Sequence, residues 1–288
     1  MINMIDFTNC IEELNIYKGK EKKKTLIYKE TKYLVKFPDP IIKNKNISYI
    51  NNAYSEYIGS NIFKLIGFET QNTILGKYNY NNKEKIVCAC EDFTSKDKVL
   101  YEFESLALST NPDKKINTEI TDIMEVLESS KNIDSKSIKE IFWDMFIVDA
   151  LIGNTDRHNG NWGFILDKNT KEISFSPIYD CGSCLNPLLE DEEIEKIDAT
   201  EIKNLAINCY SCLKENEKKI NCIEFIKRMN NKQCNEAVIR VIPKINIEEI
   251  NSFINNIESI TQVRKEFYNK IIDIRYTILK EIYNKINA

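Results

Sequence analysis

The chain has 288 residues, of which 42% are hydrophobic, and a formal net charge of -4 from 40 basic and 44 acidic side chains. It is long enough for one large domain or two modest ones, and its charge argues against a broad basic surface for nucleic acid or anionic membranes. No direct binding to nucleic acid is therefore expected. The chain has nine cysteines, an odd number, which favours reduced thiols over a disulfide framework.

The N-terminal stretch, MINMIDFTNCIEELN, contains early acidic residues and no unbroken apolar run, so it differs from a signal peptide or a transit peptide. No segment approaches the roughly 18 apolar residues that a membrane span requires. These features predict a cytoplasmic protein without a membrane span, and they leave open delivery outside the cell by a non-classical route.

The first third of the sequence predicts strands around one helix. Residues 14–37, LNIYKGKEKKKTLIYKETKYLVKF, contain three short β-favouring segments separated by polar breaks, which is typical of a strand meander. Residues 51–66 carry apolar side chains at helical spacing, and Gly67 is the expected C-terminal cap. Two more apolar segments follow, TQNTILGKY and EKIVCACEDF, and the second has the composition of a buried strand.

From about residue 94 onward the apolar spacing becomes mainly helical. The segments TEITDIMEVLESS, DSKSIKEIFWDMFIVDALIG and KENEKKINCIEFIKRMN and the stretch from 247 to the end predict helices, and NLAINCYSCLKEN is also interpreted as helical. A strand, a turn and a strand predict a small hairpin between Asn161 and Asp180. The predicted class is α+β, with a strand-rich lobe at residues 1–93 and a helical lobe at residues 94–288.

A lysine in the first predicted lobe has the properties of a phosphate-binding residue, and a glutamate is placed to pair with it. Phosphoryl transfer needs a cation on the phosphates, Mg2+ held by oxygen ligands, a carboxylate at the attacking hydroxyl and a cover over the phosphates. Lys36 lies inside the apolar segment YLVKF, where a charge is costly unless it meets an anion. Glu56, on the predicted helix, is placed to pair with Lys36. The basic turn at residues 18–24, with Gly19 and Lys20, is the candidate cover.

Polar residues on either side of the predicted hairpin are the candidates for catalysis and metal binding. Asp156 and Asn161 have the D-x-x-x-x-N spacing of a kinase catalytic loop, which places a carboxylate at the acceptor hydroxyl and an amide oxygen at Mg2+. Asp180, in YDCG, has the D-x-G form of a metal-binding carboxylate at the end of a strand. Residues 90–93, CEDF, end a buried strand where the chain changes character, so their backbone is expected at the adenine edge.

These motifs, in this order, resemble the HipA family of serine/threonine kinases. The resemblance rests on YLVKFP, SEYIGSNIFKLIGF, CEDF, VDALIGNTDRHNGNWGFI and SPIYDCGSCL and covers about residues 14–190. More narrowly, the chain is similar to the compact, cell-translocating-kinase type, which lacks the longer N-terminal module. The resemblance implies a bilobed protein-kinase-like fold, ATP and Mg2+, and transfer of the γ-phosphoryl group to Ser or Thr of a protein substrate, often with autophosphorylation. Whether an antitoxin-like, DNA-binding partner exists is left open.

The resemblance also implies roles for individual residues. The catalytic base position falls on Asp156, the Mg2+ ligands on Asn161 and Asp180, and the phosphate-binding lysine on Lys36. The hinge positions and the stretch along the nucleotide comprise Glu91, Asp92, Phe93, His158, Asn159 and Asn161. His158 is the single histidine of the chain, so it is expected to brace the loop as a hydrogen-bond donor and not to bind a metal.

Two features depart from the family pattern. The phosphate-covering turn has only Gly19 and no serine, so the autophosphorylation that occurs there in some relatives does not carry over to this turn. Cys181 and Cys184 stand where relatives more often carry Asn and Ser. Together with Cys209 and Cys212 they form a C-x2-C...C-x2-C arrangement, which leaves a structural zinc site as an alternative. The gap between the pairs is longer than usual, and reduced thiols are the default interpretation.

Other functions fit parts of the same pattern. Alone, TDRHNGN would also suit a polar turn. The sequences DRHNGN and DCG match the loops of phosphoinositide kinases as well, so a lipid or small-molecule kinase is the alternative enzyme. A non-catalytic nucleotide-binding or zinc-binding module is the alternative outside enzymes. The joint presence of Asp156, Asn161 and Asp180 argues against a pseudokinase.

Overall fold

A computed structural model gives the fold over residues 4–14, 22–38, 51–110, 117–130 and 133–288. Most of the first predicted strand segment, and Gly19 and Lys20 of the predicted phosphate cover, lie outside these described residues. The described residues form a strand-rich lobe followed by a mainly helical lobe, so the predicted α+β class is confirmed.

The first lobe contains a sheet of six strands within the described residues, in the order β1-β5-β6-β4-β3-β2. These strands are β1 (Ile5–Asp6), β2 (Ile11–Glu13), β3 (Lys23–Tyr28), β4 (Thr31–Lys36), β5 (Thr73–Tyr80) and β6 (Lys83–Glu91). Strand β1 is parallel to β5, whereas the other neighbouring strands are antiparallel. The sheet thus places the end of β4, with Lys36, in the middle of the lobe.

The alternation of side chains along β4 decides which way Lys36 points. Val35 belongs to an apolar cluster on one face of the sheet, and Leu34 packs with Cys88 and Cys90 on the other. Because successive side chains of a strand point to opposite faces, Lys36 lies on the face of Leu34. That face is covered by the following helix.

Helix α1 (Asn52–Ile66) confirms the predicted helix at residues 51–66. It ends at Gly67, whose φ of 99° lies in the left-handed region that glycine adopts readily. Its first turn packs on the sheet through Ala53, whereas Ile58 and Ile62 belong to the core of the second lobe. The helix therefore connects the two cores and holds its polar residues between them.

The second lobe is mainly helical. Its α-helices within the described residues are α2 (Phe103–Thr110), α3 (Ile120–Ser129), α4 (Ser135–Ile152), α5 (Asp191–Ile194), α6 (Ala199–Ile207), α7 (Cys222–Lys227), α8 (Lys232–Val241), α9 (Ile247–Asn255) and α10 (Gln262–Ile286). Asp134 caps α4 by accepting hydrogen bonds from the backbone of Lys136 and Ser137. Among the described helices, none combines the length and the apolar character that crossing a membrane requires.

A small sheet packs against α2. It consists of β7 (Lys98–Glu102), β8 (Gly163–Asp167) and β9 (Ile173–Phe175) in that order. Strands β8 and β9 confirm the predicted hairpin, and β7 is a strand that the sequence analysis did not predict. The Trp162 ring stacks on Phe103, with ring centroids 4.2 Å apart and an interplanar angle of 13°. This packing fixes the start of β8 against the helices.

One prediction for the second lobe was wrong. The segments around residues 204–221 were interpreted as helical, but after α6 the chain forms an antiparallel hairpin of β10 (Tyr210–Glu215) and β11 (Lys218–Asn221). Burial alternates at the start of β10, as a half-buried strand requires. Asn216 and Glu217 adopt φ of 54° and 64°, which suits a two-residue hairpin turn. The helical interpretation overlooked this short alternation.

Candidate active site

Lys36 connects the two lobes through two carboxylates. Its Nζ lies 2.8 Å from Glu56 Oε2 of α1 and 2.6 Å from Asp180 Oδ1 of the second lobe. The Lys36 side chain is 9% exposed and the Glu56 side chain is fully buried, so a charge on either would be costly without the other. The structure thus brings together three of the predicted site residues and settles that Glu56 is the partner of Lys36.

The Glu56 carboxylate also reaches the D-x-G segment. Its Oε1 accepts a hydrogen bond of 3.1 Å from the backbone N–H of Cys181. A Cβ added to Gly59, one turn further along α1, would stand 2.7 Å from Cys181 Cβ, so the close approach of α1 to this segment requires glycine. Helix α1 therefore positions both Lys36 and the residues next to Asp180.

Asp180 has a positive backbone φ angle, and its surroundings favour the ionised carboxylate over the protonated form. Its φ of 58° lies in the left-handed region, which aspartate tolerates better than most residues. Burial opposes the charge on Asp180, but the charge and hydrogen bond of Lys36 outweigh it and hold the pKa of the carboxyl below its usual value. The side chain remains 36% exposed. Asp180 is thus an ionised carboxylate that solvent and ligands can reach.

The candidate catalytic loop begins where α4 ends. Gly153, with φ of 69°, terminates the helix, and the exposed Asp156 follows. The Asp156 backbone carbonyl accepts a hydrogen bond of 2.7 Å from Asn161 Nδ2. His158 braces the loop as expected, but as an acceptor, since its Nδ1 receives the Gly160 N–H at 3.0 Å. The loop is therefore a defined turn that presents Asp156 and holds the Asn161 amide in one orientation.

Arg157 ties this loop to the segment that carries Asp180. The residue is 3% exposed, and its Nη1 donates to the backbone carbonyls of Asn161 at 2.8 Å, of Tyr179, and of Asp180 at 3.4 Å. Its Nε and Nη2 donate to Asp149 of α4 at 2.9 and 3.1 Å. Burial opposes the charge, but Asp149 outweighs it and raises the pKa of the guanidinium above its usual value. One guanidinium thus holds both candidate metal ligands by their backbones.

The hinge residues lie at the end of β6. The backbone N–H groups of Glu91 and Asp92 donate to Asn72 and Lys32 carbonyls, each at 2.8 Å. The Phe93 ring packs against Tyr179, with ring centroids 5.8 Å apart. The first two hinge N–H groups are therefore used within the protein. The Glu91 carbonyl also accepts a hydrogen bond from Gln71 Nε2 at 2.9 Å, so a ligand edge at this position would meet the backbone from Phe93 onward.

Asn159 lies apart from the other candidate residues. It is 6% exposed, its Nδ2 donates to the Asn117 carbonyl at 3.0 Å, and its own carbonyl accepts from Glu104 N–H at 2.9 Å. These contacts attach the loop to α2 and to the start of α3. Its predicted role along the nucleotide stays a prediction.

The cysteines do not form the zinc site that their spacing allowed. Cys181 and Cys184 are buried against α1, where burial raises the pKa of Cys181 to about 12 and that of Cys184 well above its usual value. Cys209 instead contacts Cys222, with sulfur atoms 3.9 Å apart. Within the described residues, no group of three or more His, Cys, Asp or Glu side chains is arranged to hold a metal.

The donor set at Asn161 and Asp180 does fit Mg2+. This ion takes oxygen ligands and is commonly held by one or two side chains together with substrate phosphates. The Asn161 Nδ2 is engaged with the Asp156 carbonyl, so the Oδ1 of the same amide is turned away from that bond. Asp180 adds a charged, partly exposed carboxylate. These two side chains would hold the ion, and phosphate oxygens would complete its coordination.

Several residues that position the site were not predicted. Asp149, Arg157 and Cys212 contact the candidate loop, and only Arg157 was noticed, as part of a motif. Asp149 had a signal: it is an acidic residue inside the apolar helical segment FIVDALI, and a buried charge of this kind requires a partner. No feature of the sequence indicated a role for Cys212, because its position on a strand was not recognised.

Comparison with known proteins finds similar kinases. The chain is 39% identical over 282 residues to the serine/threonine-protein kinase CtkA of Helicobacter pylori, with 94% of this chain and 85% of the relative covered. The fold matches the crystal structure of a Helicobacter pylori proinflammatory kinase CtkA with a TM-score of 0.90 at 37% identity, covering 99% of this chain and 98% of the other.

A more distant structure shares the fold alone. HipA of Shewanella oneidensis MR-1, solved with HipB and operator DNA, matches with a TM-score of 0.53 at 12% identity, covering 94% of this chain and 69% of that one. Fold and site together define a bilobed kinase. Residues 17–254 match the HipA-like C-terminal domain, and the chain belongs to this family. It is a HipA-like serine/threonine kinase.

Proposed function

We propose that this kinase transfers the γ-phosphoryl group of ATP, with Mg2+, to a serine or threonine hydroxyl of a protein, through Asp156, Asn161, Asp180 and Lys36. The observation that carries the proposal is the chain of contacts from Glu56 through Lys36 to Asp180, at 2.8 and 2.6 Å. It places a cation and a candidate metal ligand side by side between the lobes. Phosphoryl transfer depends mainly on such positioning and charge neutralisation.

Lys36 has the role of holding the phosphates. Its ammonium contacts the Asp180 carboxylate, and a phosphate oxygen would take the place of that carboxylate oxygen as the anionic partner. Glu56, which is fully buried, keeps the ammonium directed to the same place. Bound Mg2+ would neutralise charge on the phosphates.

Asp156 has the role of accepting the proton of the acceptor hydroxyl. It lies on the exposed part of the loop, where a polypeptide side chain can approach it, and its backbone carbonyl fixes the Asn161 amide. The base and the first metal ligand therefore share one turn. A shift of either would displace the other, so catalysis should depend steeply on the geometry of this turn.

ATP would lie between the sheet of the first lobe and the candidate catalytic loop, with its adenine at Glu91, Asp92 and Phe93. Gly19 and Lys20 keep their proposed role as cover of the phosphates. His158 and Asn159 keep theirs as part of the stretch along the nucleotide. Autophosphorylation and an antitoxin-like partner are further proposals, which mass spectrometry of purified protein incubated with ATP and co-purification from the native host would test.

A transfer assay tests the proposal. Purified protein is incubated with labelled ATP, Mg2+ and either a generic protein acceptor or phosphoinositide vesicles, and the label on protein and lipid is measured. We expect label on protein, and a loss of about 10³-fold or more in Asp156→Ala and Asp180→Ala. Asp97→Ala, at another exposed aspartate, is the matched control and should transfer normally.

Each contrary outcome of this assay has a distinct meaning. Label on lipid alone would replace the protein substrate by a lipid one. Wild-type transfer by Asp156→Ala would show that the assigned base is wrong. Transfer that persists in chelator without any divalent ion would contradict the assignment of Asn161 and Asp180 as metal ligands.

A further inference from the structure

The hairpin of β10 and β11 touches the candidate catalytic loop through one side chain. The Cys212 sulfur lies 3.4 Å from Asp156 Oδ1 and 3.2 Å from the Thr155 carbonyl. Among the described residues, this thiol is the side chain that hydrogen-bonds to the Asp156 carboxylate. The contact joins residues that are 56 positions apart in the sequence, so it depends on the tertiary fold of the hairpin.

The hairpin itself is held from its other side. Thr118 Oγ1 donates to the Cys212 carbonyl at 2.6 Å, and the Lys214 N–H donates to the Thr118 carbonyl at 2.8 Å. The Glu119 carboxylate accepts the backbone N–H groups of Asn216 and Glu217 at 2.7 and 3.1 Å. These bonds fix the backbone of Cys212, so the position of its sulfur is set by the fold and not by the flexible end of a long side chain.

The direction of the hydrogen bond follows from the chemistry of the two groups. An ionised carboxylate and a backbone carbonyl only accept, so the thiol is the donor to both, and its single proton is shared between Asp156 Oδ1 and the Thr155 carbonyl. Burial, followed by the Asp156 charge, raises the pKa of Cys212 to about 12, which keeps the proton on sulfur at neutral pH. The thiol is therefore a neutral donor beside the candidate base and not a reactive nucleophile.

We infer that Cys212 is a positioning residue for Asp156: its S–H donates to Oδ1 and holds the carboxylate so that Oδ2 faces the acceptor hydroxyl. This inference rests on the proposed role of Asp156 as the base. The proton of the acceptor passes to Asp156, while the Cys212 proton stays on sulfur throughout. Without the donor the carboxylate can rotate away from the acceptor, because the exposed Asp156 side chain has lost the contact that orients it.

Three substitutions separate hydrogen bonding from packing. Cys212→Ser keeps a donor of similar size, Cys212→Val fills the strand position with a somewhat larger side chain that has no donor, and Cys212→Ala removes both the donor and the volume. We expect kcat for protein phosphorylation to fall about tenfold in the Val and Ala variants, with KM for ATP within about twofold of wild type because the nucleotide contacts are untouched. The Ser variant should recover at least half of the wild-type kcat.

The controls distinguish this inference from the proposal on which it rests. Cys234→Ala removes a buried thiol of α8 and should leave kcat unchanged. An inactive Asp156→Ala together with wild-type kcat in Cys212→Val would overturn the positioning role alone. Full activity in Asp156→Ala would overturn both. The positioning role would also be overturned if the Cys212 variants kept the wild-type kcat and lost kcat/KM only through a higher KM for ATP. If Cys212→Ala does not fold, the comparison of Cys212→Ser with Cys212→Val decides.

Discussion

Two buried cations hold the site together, and they are held in different ways. Lys36 contacts two carboxylates, one of which, on Asp180, is 36% exposed. Arg157 is enclosed, with a side chain 3% exposed, and contacts Asp149 and the backbone carbonyls of the catalytic loop and the D-x-G segment. Lys36 therefore has one partner that solvent can reach, whereas Arg157 and Asp149 are both buried.

The difference shows how one site combines exchange with rigidity. A compact ammonium on a flexible stem can change partners, while a guanidinium with five donors in a fixed plane suits several acceptors at once. In the proposed reaction Lys36 would leave Asp180 for a phosphate, and Glu56 would remain as its partner. Arg157 has no such exchange, since releasing any of its carbonyls would disturb the loop. We therefore expect changes at Lys36 to affect catalysis and changes around Arg157 to affect stability.

The largest effect is expected at Asp149. Asp149→Ala leaves a buried guanidinium without its carboxylate, which should lower the free energy of unfolding by about 3–5 kcal/mol. Asp144, on the same helix, pairs with Arg240 at 2.6 Å, where the arginine side chain is 31% exposed, so Asp144→Ala should cost only about 1 kcal/mol. Urea unfolding of both variants measures the contrast. Equal losses would show that burial does not separate these two pairs.

The sequence revealed the exchangeable cation and not the rigid one. Lys36 was identified because a lysine inside an apolar strand needs an anion, and the argument also led to Glu56. The same reasoning applies to Asp149 in an apolar helix, but its partner lies in a loop whose path the helix does not determine. Local spacing and motif order predicted the roles of Asp156, Asn161 and Asp180, and these roles stay predictions.

The elements that the sequence did not reveal depend on long-range pairing. Strand β7 is stabilised by β8, which lies far along the chain, and β10 is held in part by Thr118. Short strands of this kind have few residues over which periodicity can be recognised. Since the Cys212 contact requires β10, it could not have been found before the hairpin was known.

A smaller effect, mainly on catalysis, is expected at Lys36. Lys36→Met removes the cation from the phosphates and should lower kcat/KM for ATP by about 10²-fold, or about 2.7 kcal/mol. The loss of stability should be smaller than for Asp149→Ala, because Asp180 is 36% exposed to water and Glu56 keeps its hydrogen bond from the Cys181 N–H. Lys24→Met, at a lysine of β3 that pairs with the half-exposed Glu12, is the control. Steady-state kinetics and urea unfolding together would contradict the comparison if Lys36→Met lost stability but kept activity.

The smallest effect is expected at Glu56, where only a charge is removed. Glu56→Gln keeps the shape of the side chain and an oxygen for the Cys181 N–H, but it no longer neutralises the ammonium 2.8 Å away. Of the two described carboxylates at Lys36, only that of Asp180 would then remain charged, and the ammonium would follow it, so kcat/KM for ATP should fall about tenfold, or about 1.4 kcal/mol. Glu69→Gln, at an exposed glutamate close to the end of α1, should have no effect on the same kinetics. Equal activity of Glu56→Gln and Lys36→Met would contradict this prediction. It would show that the lysine cannot function without the Glu56 charge, and that Glu56 does more than hold Lys36 in place while the ammonium exchanges Asp180 for a phosphate.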